Sequence, residues 1–248
     1  MKLSTVIMAA GKGKRMKNPD RSKVMFELRG KPMIEYVIEL SLKIDSELIV
    51  PIVGHQKQSV IDFLSARFAD YIDRIKFAHQ DEQLGTGHAI MQTKEILRNF
   101  DGNVLILSGD VPLLKFETVL KFIKYHSDNG FRASLLSAIF DDPFGYGRVI
   151  RKDDGTFVDI VEEKDASEEQ KKIKEINSGI YIVDNKILFE ALTTIRTDNA
   201  QGEYYLTDIF KYFRDRNIKI GAVPVDNNAE ITGVNTIEQL TELEKLIL

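Results

Sequence analysis

The 248-residue sequence contains no cysteine and no tryptophan. Without cysteine the chain can form no disulfide, no thiolate nucleophile and no cysteine-ligated zinc or iron–sulfur site. Any chemistry that the chain performs must therefore depend on other side chains, or on a metal held by oxygen ligands.

Long hydrophobic runs are also missing. The apolar run near the start, Leu3 to Ala10, ends at Gly11 and is followed by lysines. It is too short for the core of a secretory signal and far too short to span a bilayer. We therefore expect a soluble, cytoplasmic protein with no membrane partner.

The sequence has no overall excess of positive charge. Its 34 lysines and arginines are outnumbered by 38 aspartates and glutamates, which gives a formal net charge of −4. A general nucleic-acid binder needs a basic surface, so that class is disfavoured. The 43% of hydrophobic residues can fill a core, which argues against intrinsic disorder.

One local segment departs from this balance. Six basic residues fall within twelve positions, against a single aspartate: Lys12, Lys14, Arg15, Lys17, Arg21 and Lys23. Such a concentration of charge in an acidic chain predicts a site for an anion.

The first half of the sequence alternates between short apolar runs and longer amphipathic segments. This alternation predicts a parallel sheet with helices on both faces. The predicted strands are Leu3–Ala9, Leu48–Val53, Ile75–Ala78 and Val104–Leu107, and the predicted helices are Met33–Leu42, Gln56–Phe68, Gly87–Arg98 and Phe116–His126.

After Ser127 the pattern becomes richer in strands. The predicted strands are Ala133–Ile139, Gly147–Arg151, Phe157–Glu162, Ile176–Val183 and Ile218–Val223, and the predicted helices are Lys186–Thr193, Tyr205–Arg216 and Ile237–Leu246. Asp153-Asp154-Gly155 predicts a hairpin turn. With no linker between the halves, we expect one domain over 1–248: a nucleotide-binding half at about 1–112, a second half at about 113–235 and a C-terminal helix at about 236–248.

The loop that follows the first strand reads Met8-Ala9-Ala10-Gly11-Lys12-Gly13-Lys14-Arg15-Met16. Gly11 and Gly13 permit tight turns that direct backbone amides at an anion, and small alanines let a flat ring approach. The spacing fits neither the P-loop nor the dinucleotide fingerprint. The pattern indicates a loop for a nucleoside triphosphate, with a solvated charged loop as the alternative.

This loop resembles that of the sugar-phosphate nucleotidyltransferases, in which A-A-G-x-G-x-R-M is followed by a lysine, here Lys23. Further segments resemble the bacterial N-acetylglucosamine-1-phosphate uridylyltransferase family, and the most specific is Asn-Ala-Gln-Gly-Glu-Tyr-Tyr at 199–205. The resembling segments are 79–89, 108–113, 145–148, 161–166, 175–181, 199–208 and 233–235. The resemblance implies an α/β fold, with a Rossmann-like mixed, mostly parallel sheet, helices on both faces and a smaller sugar-binding β-rich lobe.

The resemblance also implies a reaction. UTP would transfer UMP to N-acetylglucosamine 1-phosphate with the help of Mg²⁺, giving pyrophosphate and a sugar nucleotide used in cell-wall precursor synthesis. In such a transfer the protein mainly positions the groups and stabilises negative charge. Arg15, Lys23 and Asp110 are the implied catalytic residues.

Three subsites are implied by the same resemblance. The metal site would consist of Asp110 and Asn235, which offer hard oxygen ligands. The sugar site would consist of Gly147, Glu162 and Asn177. The nucleotide site would consist of Met8, Ala9, Ala10, Gly11, Gly13, Lys23, Gln80, Gly85, Thr86, Ser108, Gly109 and Asp110.

Some of these residues have a structural alternative. Thr86 could cap the helix that it opens, His88 is expected to pack or cap locally, and Tyr204 and Tyr205 could either wall the acetamido group or lie in the core. Asp110 could be a turn residue before Pro112, and Lys23 an exposed lysine.

The sequence departs from the family pattern at three positions and at its end. Lys14, Ser22 and Ser108 stand where Thr, Pro and Tyr are usual. The usual enzyme continues into a hexapeptide-repeat β-helix that acetylates glucosamine 1-phosphate and forms a trimer. Since this sequence has no such repeats, we expect no acetyltransferase activity and a monomer.

Two other functions stay open. The chain could transfer a uridylyl or thymidylyl group to another sugar 1-phosphate, such as glucose 1-phosphate. It could also be a non-catalytic sugar-nucleotide-binding subunit, although such a subunit would be expected to lose Arg15, Lys23 or Asp110. Fold alone would not separate these functions.

Overall fold

The computed structural model of the chain describes residues 1–16 and 18–245. In the first half, strands and helices alternate. The strands are β1 (Leu3–Ala9), β2 (Glu27–Leu28), β3 (Lys31–Pro32), β4 (Leu48–Val53), β5 (Ala78–His79) and β6 (Asn103–Ser108). The helices are α1 (Met33–Lys43), α2 (Lys57–Arg67), α3 (Thr86–Met91), α4 (Lys94–Leu97) and α5 (Phe116–Asp128), with short 3₁₀ turns at Lys14–Met16, Lys23–Met25 and Ala69–Arg74.

The described part of the second half contains five strands, most of them in antiparallel pairs. These are β7 (Ala133–Ile139), β8 (Arg148–Arg151), β9 (Phe157–Val161), β10 (Glu175–Asp184) and β11 (Ile220–Pro224). The helices are α6 (Glu168–Lys171), α7 (Asn185–Leu192), α8 (Ile209–Asp215) and α9 (Ile237–Lys245), with 3₁₀ turns at Leu206–Asp208 and Asn228–Ile231.

One mixed sheet joins the two halves, in the order β11-β7-β10-β6-β1-β4-β5. β1 pairs in parallel with β4 and β6, β4 with β5, and β7 with β11, while β10 runs antiparallel to both of its neighbours. The β8–β9 hairpin extends from one end of β10. The predicted α/β class, with a mostly parallel sheet and a β-rich extension, is confirmed.

Helices cover both faces of this sheet because alternate residues of each strand point to opposite sides. On one face Ile7 and Leu107 pack with residues of α1, α2 and α5. On the other, Val6 and Ile106 pack with residues of α3, α7 and α8. A smaller apolar cluster, which we call the C-terminal cluster, contains Met16, Phe26, Leu28, Met33, Val234, Leu240 and Leu243.

Several predicted elements differ in detail. The predicted helix Gly87–Arg98 is two helices, α3 and α4, because the chain tightens at Gln92 and the Thr93 hydroxyl donates to the Ile90 carbonyl at 2.8 Å. The predicted helix at Tyr205 begins with a 3₁₀ turn and becomes α-helical at Ile209.

The strand predicted at Ile75–Ala78 is shorter and begins three positions later, so that it shares only Ala78 with the prediction. Ile75 makes only an isolated bridge to Ile49, and β5 itself is Ala78–His79. The β2–β3 hairpin and α6 were not predicted. Lys17 and the predicted helix end at Leu246 lie outside the described residues. Within 1–16 and 18–245, no helix is both long enough and apolar enough to cross a membrane.

Candidate functional site

A cavity of about 290 Å³ opens where parallel strands of the sheet end. Met8 of β1 lies opposite Ser108 of β6, and the amide of Gly109 donates to the Met8 carbonyl at 3.0 Å. Open α/β sheets bind ligands at this edge. Ten predicted nucleotide-site residues line the cavity: Met8, Ala9, Ala10, Gly11, Lys23, Gln80, Gly85, Thr86, Ser108 and Asp110. Val24, Gln83, Ala89 and Glu203 also line it and were not predicted.

The other two glycines predicted for the nucleotide site, Gly13 and Gly109, do not line the cavity but pack against residues that do. Gly13 has a φ of +56°, and a Cβ added there would lie 2.9 Å from the Cβ of Lys23. A Cβ at Gly109 would lie 3.0 Å from Val24 and 3.1 Å from Ile34. A side chain at Gly13 would be strained by the backbone and by Lys23, whereas one at Gly109 would press on the ends of the Val24 and Ile34 side chains.

The charged centre of the site lies beside the cavity. The ammonium of Lys23 forms an ion pair with the Asp110 carboxylate and donates to Oδ1 of Asn235 at 3.1 Å. Nη2 of Arg15 donates to the same Oδ1 at 2.9 Å. The side chains of Lys23 and Asp110 are each 17% exposed, so this pair is only partly screened by water. Residues predicted from three distant segments thus meet in one place.

The backbone fixes the two oxygen-bearing side chains relative to each other. The amide of Val234 donates to the Asp110 carbonyl at 3.0 Å, which ties the loop after β6 to the loop before α9. The oxygens of Asp110 and Asn235 face one cationic group, the ammonium of Lys23. Carboxylate and amide oxygens that converge on a cation fit a hard divalent ion. No group of three or more His, Cys, Asp or Glu side chains suited to a metal occurs among the described residues.

One wall of the cavity is formed around Gln80, which was predicted to bind the base. This side chain is 4% exposed, and its Nε2 donates to the Gly85 carbonyl at 3.1 Å. Gly85 has a φ of +112°, and a Cβ there would lie 2.6 Å from the Tyr204 carbonyl oxygen. Glycine at this position is therefore required by the backbone, in addition to leaving room for a ligand.

The capping alternative for Thr86 is wrong. Gly85 occupies the position before α3, and the Thr86 hydroxyl accepts a hydrogen bond from the Leu206 amide at 3.0 Å. His88 packs locally as expected: its ring stacks on Tyr204 at 6.3 Å between centroids, and its nitrogens face Gln80 and Gln92.

The three predicted sugar-site residues lie together in the β-rich lobe. The Asn177 amide donates to the Gly147 carbonyl at 2.8 Å. A Cβ at Gly147 would lie 3.4 Å from Oε2 of Glu162. Oε1 of Glu162 accepts from the Thr207 hydroxyl at 2.9 Å. Burial raises the pKa of Glu162, and the bond from Thr207 opposes that rise.

Tyrosines border this lobe. Burial raises the pKa of Tyr146, Asp110 raises it further and Arg15 lowers it, so this phenol lies within the electrostatic reach of the charged centre. Of the resembling segment 145–148, only Gly147 was predicted as a site residue. Tyr205 is 7% exposed, in agreement with the core alternative, and burial raises its pKa to about 12.

The sheet, the loop after β1 and the charged centre together define a nucleotide-binding α/β protein equipped to stabilise phosphate charge. The nucleotidyl transferase family model matches residues 4–228. The chain belongs to the nucleotidyl transferase family, a family whose members generally use a divalent metal ion.

Relatives of known name are similar over nearly the whole chain. The bifunctional protein GlmU of Caldanaerobacter subterraneus subsp. tengcongensis is 49% identical over 245 residues, which cover 99% of this chain and 51% of that protein. The bifunctional protein GlmU of Geotalea daltonii is 46% identical over 246 residues, which cover 99% of this chain and 52% of that protein. The chain thus spans about half the length of the curated relatives it matches.

Solved structures share the fold. A UDP-glucose pyrophosphorylase in complex with UDP-glucose has a TM-score of 0.78 at 18% identity and covers 100% of this chain and 98% of its own. A Bacillus anthracis protein described as a glucose-1-phosphate thymidylyltransferase has a TM-score of 0.76 at 19% identity and covers 98% of this chain and 94% of its own. At these identities the likeness shows the fold.

Proposed function

We propose that this chain transfers the uridylyl group of UTP to N-acetylglucosamine 1-phosphate, in the cytoplasm, and releases pyrophosphate. The observation that carries the proposal is the convergence of Lys23, Asp110 and Asn235 beside a cavity at the carboxyl ends of β1 and β6. The similarity to GlmU proteins over almost the whole chain supports the choice of nucleotide and sugar.

Arg15 and Lys23 hold the triphosphate in this proposal. Arginine can grip two phosphate oxygens with its planar fork, whereas lysine acts as a mobile point charge. Both groups already point at one location, because both donate to Oδ1 of Asn235. They would stabilise the negative charge that spreads when the sugar phosphate oxygen attacks the α-phosphorus and pyrophosphate leaves.

Asp110 and Asn235 would hold Mg²⁺. When bound, the ion would neutralise phosphate charge and orient the phosphate oxygens. The chain's own contribution is the fixed separation of the two loops, which the Val234–Asp110 backbone bond sets.

The remaining predicted residues would recognise the base of the nucleotide and the sugar. The amide side chain of Gln80 offers both a donor and an acceptor to a pyrimidine edge, and it lies next to Gly85 and Thr86 in the cavity wall. Glu162 and Asn177 would bind sugar hydroxyls beside Gly147. The chain would act as a single nucleotidyltransferase unit, with its nucleotide-binding half at about 1–112 and its sugar-binding half at about 113–235. We propose that it acts as a monomer. We propose no nucleic-acid or membrane partner.

Pyrophosphate release across a panel of substrates tests the proposal. UTP, thymidine triphosphate and other nucleotides are combined with N-acetylglucosamine 1-phosphate, glucose 1-phosphate and related sugar phosphates, in the presence of Mg²⁺. We expect the highest kcat/KM for UTP with N-acetylglucosamine 1-phosphate. A higher value for another pair would transfer the assignment to that pair, and binding without turnover would identify a non-catalytic subunit.

A matched pair of variants links the activity to the site. Lys23→Met should lower kcat/KM at least about a hundredfold because it removes a phosphate-directed charge. Lys43→Met serves as the control, since Lys43 lies over the Phe116 ring at 4.2 Å, on a helix outside the cavity lining. Equal activity of the two variants would contradict the role of Lys23.

A further inference from the structure

Arg148 is a buried charge that the proposed reaction does not use. Its residue exposure is 2%, whereas arginines are ordinarily at the surface. The guanidinium lies inside the β-rich lobe, where it is shielded from solvent and from the cavity. It therefore has no access to a substrate, and its partners must explain its presence.

Those partners belong to three separate segments of the lobe. Nη2 of Arg148 forms an ion pair with Oε2 of Glu163 at 2.8 Å and contacts the Lys171 carbonyl of α6 at 3.4 Å. Nη1 donates to the Tyr146 carbonyl. Oε2 of Glu163 in turn accepts from the Gly145 amide at 3.3 Å. One ion pair thus connects the loop before β8, the loop after β9 and α6.

Each predicted sugar-site residue lies next to this ion pair. Gly147 directly precedes Arg148, and Glu162 directly precedes Glu163. On β10, Ile176 lies opposite Arg148, and the following Asn177 donates to the Gly147 carbonyl. A change in the Arg148–Glu163 contact would therefore displace all three residues together.

The ion pair is poorly suited to a purely stabilising role. The Arg148 side chain is 2% exposed and that of Glu163 is 21% exposed, so it is chiefly the arginine that loses its hydration. Such a loss costs free energy that the attraction of the partner seldom exceeds, and an apolar pair of similar volume often does better. Within the described residues, Nε of Arg148 also lacks a hydrogen-bond partner, which adds to that cost. What the guanidinium does supply is direction, since its rigid fork of donors fixes several acceptors at once.

We propose that Arg148, through its ion pair with Glu163, is a positioning residue for the sugar 1-phosphate, and that it sets the spacing of Gly147, Glu162 and Asn177. This inference rests on the proposed function, because it assigns the sugar phosphate to that cluster. It predicts a defect mainly in the use of the sugar phosphate, because the contacts of the ion pair described above lie in the β-rich lobe, whereas Gln80 and the first loop line the cavity.

Steady-state kinetics with both substrates test the inference. Glu163→Gln keeps the shape of the side chain and removes its charge. We expect its KM for the sugar phosphate to rise about tenfold, the size of effect typical for a lost charged hydrogen bond, while the KM for UTP stays within about twofold. Arg148→Lys keeps the charge but loses the fork, and its KM for the sugar phosphate should fall between those of wild type and Glu163→Gln.

The double variant Arg148→Met/Glu163→Leu separates positioning from stability. Either single change would leave one charge without its partner and lower the melting temperature, whereas an apolar pair should return it to about the wild-type value. The KM for the sugar phosphate should nevertheless stay raised, because the directional contacts of the guanidinium are gone. Glu175→Gln is the control: Glu175 at the start of β10 pairs with Arg151 of β8 at 2.6 Å, and loss of this pair should lower stability without changing either KM.

The outcomes distinguish this inference from the proposed function. If wild type does not use N-acetylglucosamine 1-phosphate, the proposed function fails, and the kinetic comparison is made with whichever pair the panel identifies. A wild type without any turnover would overturn both. With an active wild type, the positioning role is overturned if the two KM values rise in parallel, if neither changes, or if the double variant regains a normal KM for the sugar phosphate.

Discussion

The carboxamide of Asn235 accepts a hydrogen bond from the guanidinium of Arg15, a residue 220 positions earlier, with 2.9 Å between Oδ1 and Nη2. Their chain neighbours Met16 and Val234 are 2% and 0% exposed, and both belong to the C-terminal cluster. The first loop and the segment before α9 are therefore held together in two ways: by the Arg15–Asn235 hydrogen bond and by the packing of Met16 and Val234 in the same apolar cluster. It follows that the geometry of the charged centre depends on α9 as well as on the first loop.

Removal of the Asp110 carboxylate should abolish activity and leave the fold intact. Asp110→Ala deletes one of the two oxygen ligands proposed for the metal, and we expect kcat to fall at least about a hundredfold. Initial rates of pyrophosphate release and circular dichroism, measured on the same preparation, check both parts. Asp226→Ala is the control, because Asp226 forms an exposed ion pair with Lys121 at 2.9 Å, and such pairs contribute little. An unchanged rate in Asp110→Ala would remove the metal assignment.

Gln239 should affect the proposed metal site through Asn235. Its side-chain Oε1 accepts a hydrogen bond from the backbone N–H of Asn235 at 2.7 Å. The backbone N–H of Gln239 in turn donates to the Thr236 hydroxyl at 3.2 Å. Since outer partners of a ligand typically affect metal affinity 10- to 100-fold, Gln239→Ala should raise the Mg²⁺ concentration for half-maximal activity about tenfold.

The control for this prediction lies on the same helix. The Thr241 hydroxyl donates to the Ile237 carbonyl at 3.1 Å and contacts no proposed ligand, so Thr241→Ala should not alter the Mg²⁺ requirement. If the two variants respond alike, α9 acts on the site through helix stability and Gln239 has no specific role.

Local patterns could predict the strands that end at the site because burial and β-branched side chains are properties of a few adjacent residues. β4 was predicted at its observed bounds, Leu48–Val53, and so was β7 at Ala133–Ile139. Family resemblance added the residues of the cavity and the charged centre. The reason for glycine at position 85 was not visible, since the atom that excludes a Cβ belongs to Tyr204.

Contacts between distant segments account for the errors and omissions. The Thr86 hydroxyl binds the Leu206 amide, a partner 120 positions away, so a capping prediction based on neighbours had no access to it. Glu203 lines the cavity, yet its only signal was its place in the Asn199–Tyr205 run. The burial of Arg148 could not be predicted either, because arginine is ordinarily exposed.

His126 should make the protein less stable in mild acid. The imidazole is buried, with Nδ1 2.9 Å from the Ser134 hydroxyl oxygen, and burial lowers its pKa to about 4. An unfolded histidine has a pKa of about 6.5. The folded state thus resists protonation that the unfolded state accepts, so the stabilising contribution is complete above about pH 6.5 and is lost as the pH falls towards 4.

The size of this effect is about 3 kcal/mol from the difference in pKa. Urea unfolding of wild type and His126→Gln at pH 7.5 and 4.5 measures it. The free energy of unfolding should fall more steeply in wild type than in the variant over this interval. Parallel losses would assign the acid sensitivity to other groups, such as the carboxylates in ion pairs.

Glu162, which we propose as a sugar-binding residue, should lower the stability of the folded protein at high pH. Burial raises its pKa above the ordinary value, so the ionised carboxylate is less favourable in the folded protein than in the unfolded chain. The folded state then holds a proton that the unfolded state has released, and stability declines as the pH rises from the unfolded pKa through the folded one. Glu162→Gln removes this cost and can still accept the bond from Thr207, which Glu162 accepts at 2.9 Å.

We therefore expect Glu162→Gln to unfold at a higher temperature than wild type at pH 8 and at the same temperature near pH 4, with a raised KM for the sugar phosphate at pH 8. Thermal unfolding at both values and kinetics at pH 8 check the prediction. Glu163→Gln is the informative comparison, because it removes a neighbouring charge that compensates Arg148 and should lower stability at pH 8. If Glu162→Gln were destabilising at pH 8, the ionised carboxylate would have a favourable partner in the folded protein and its pKa would be lowered.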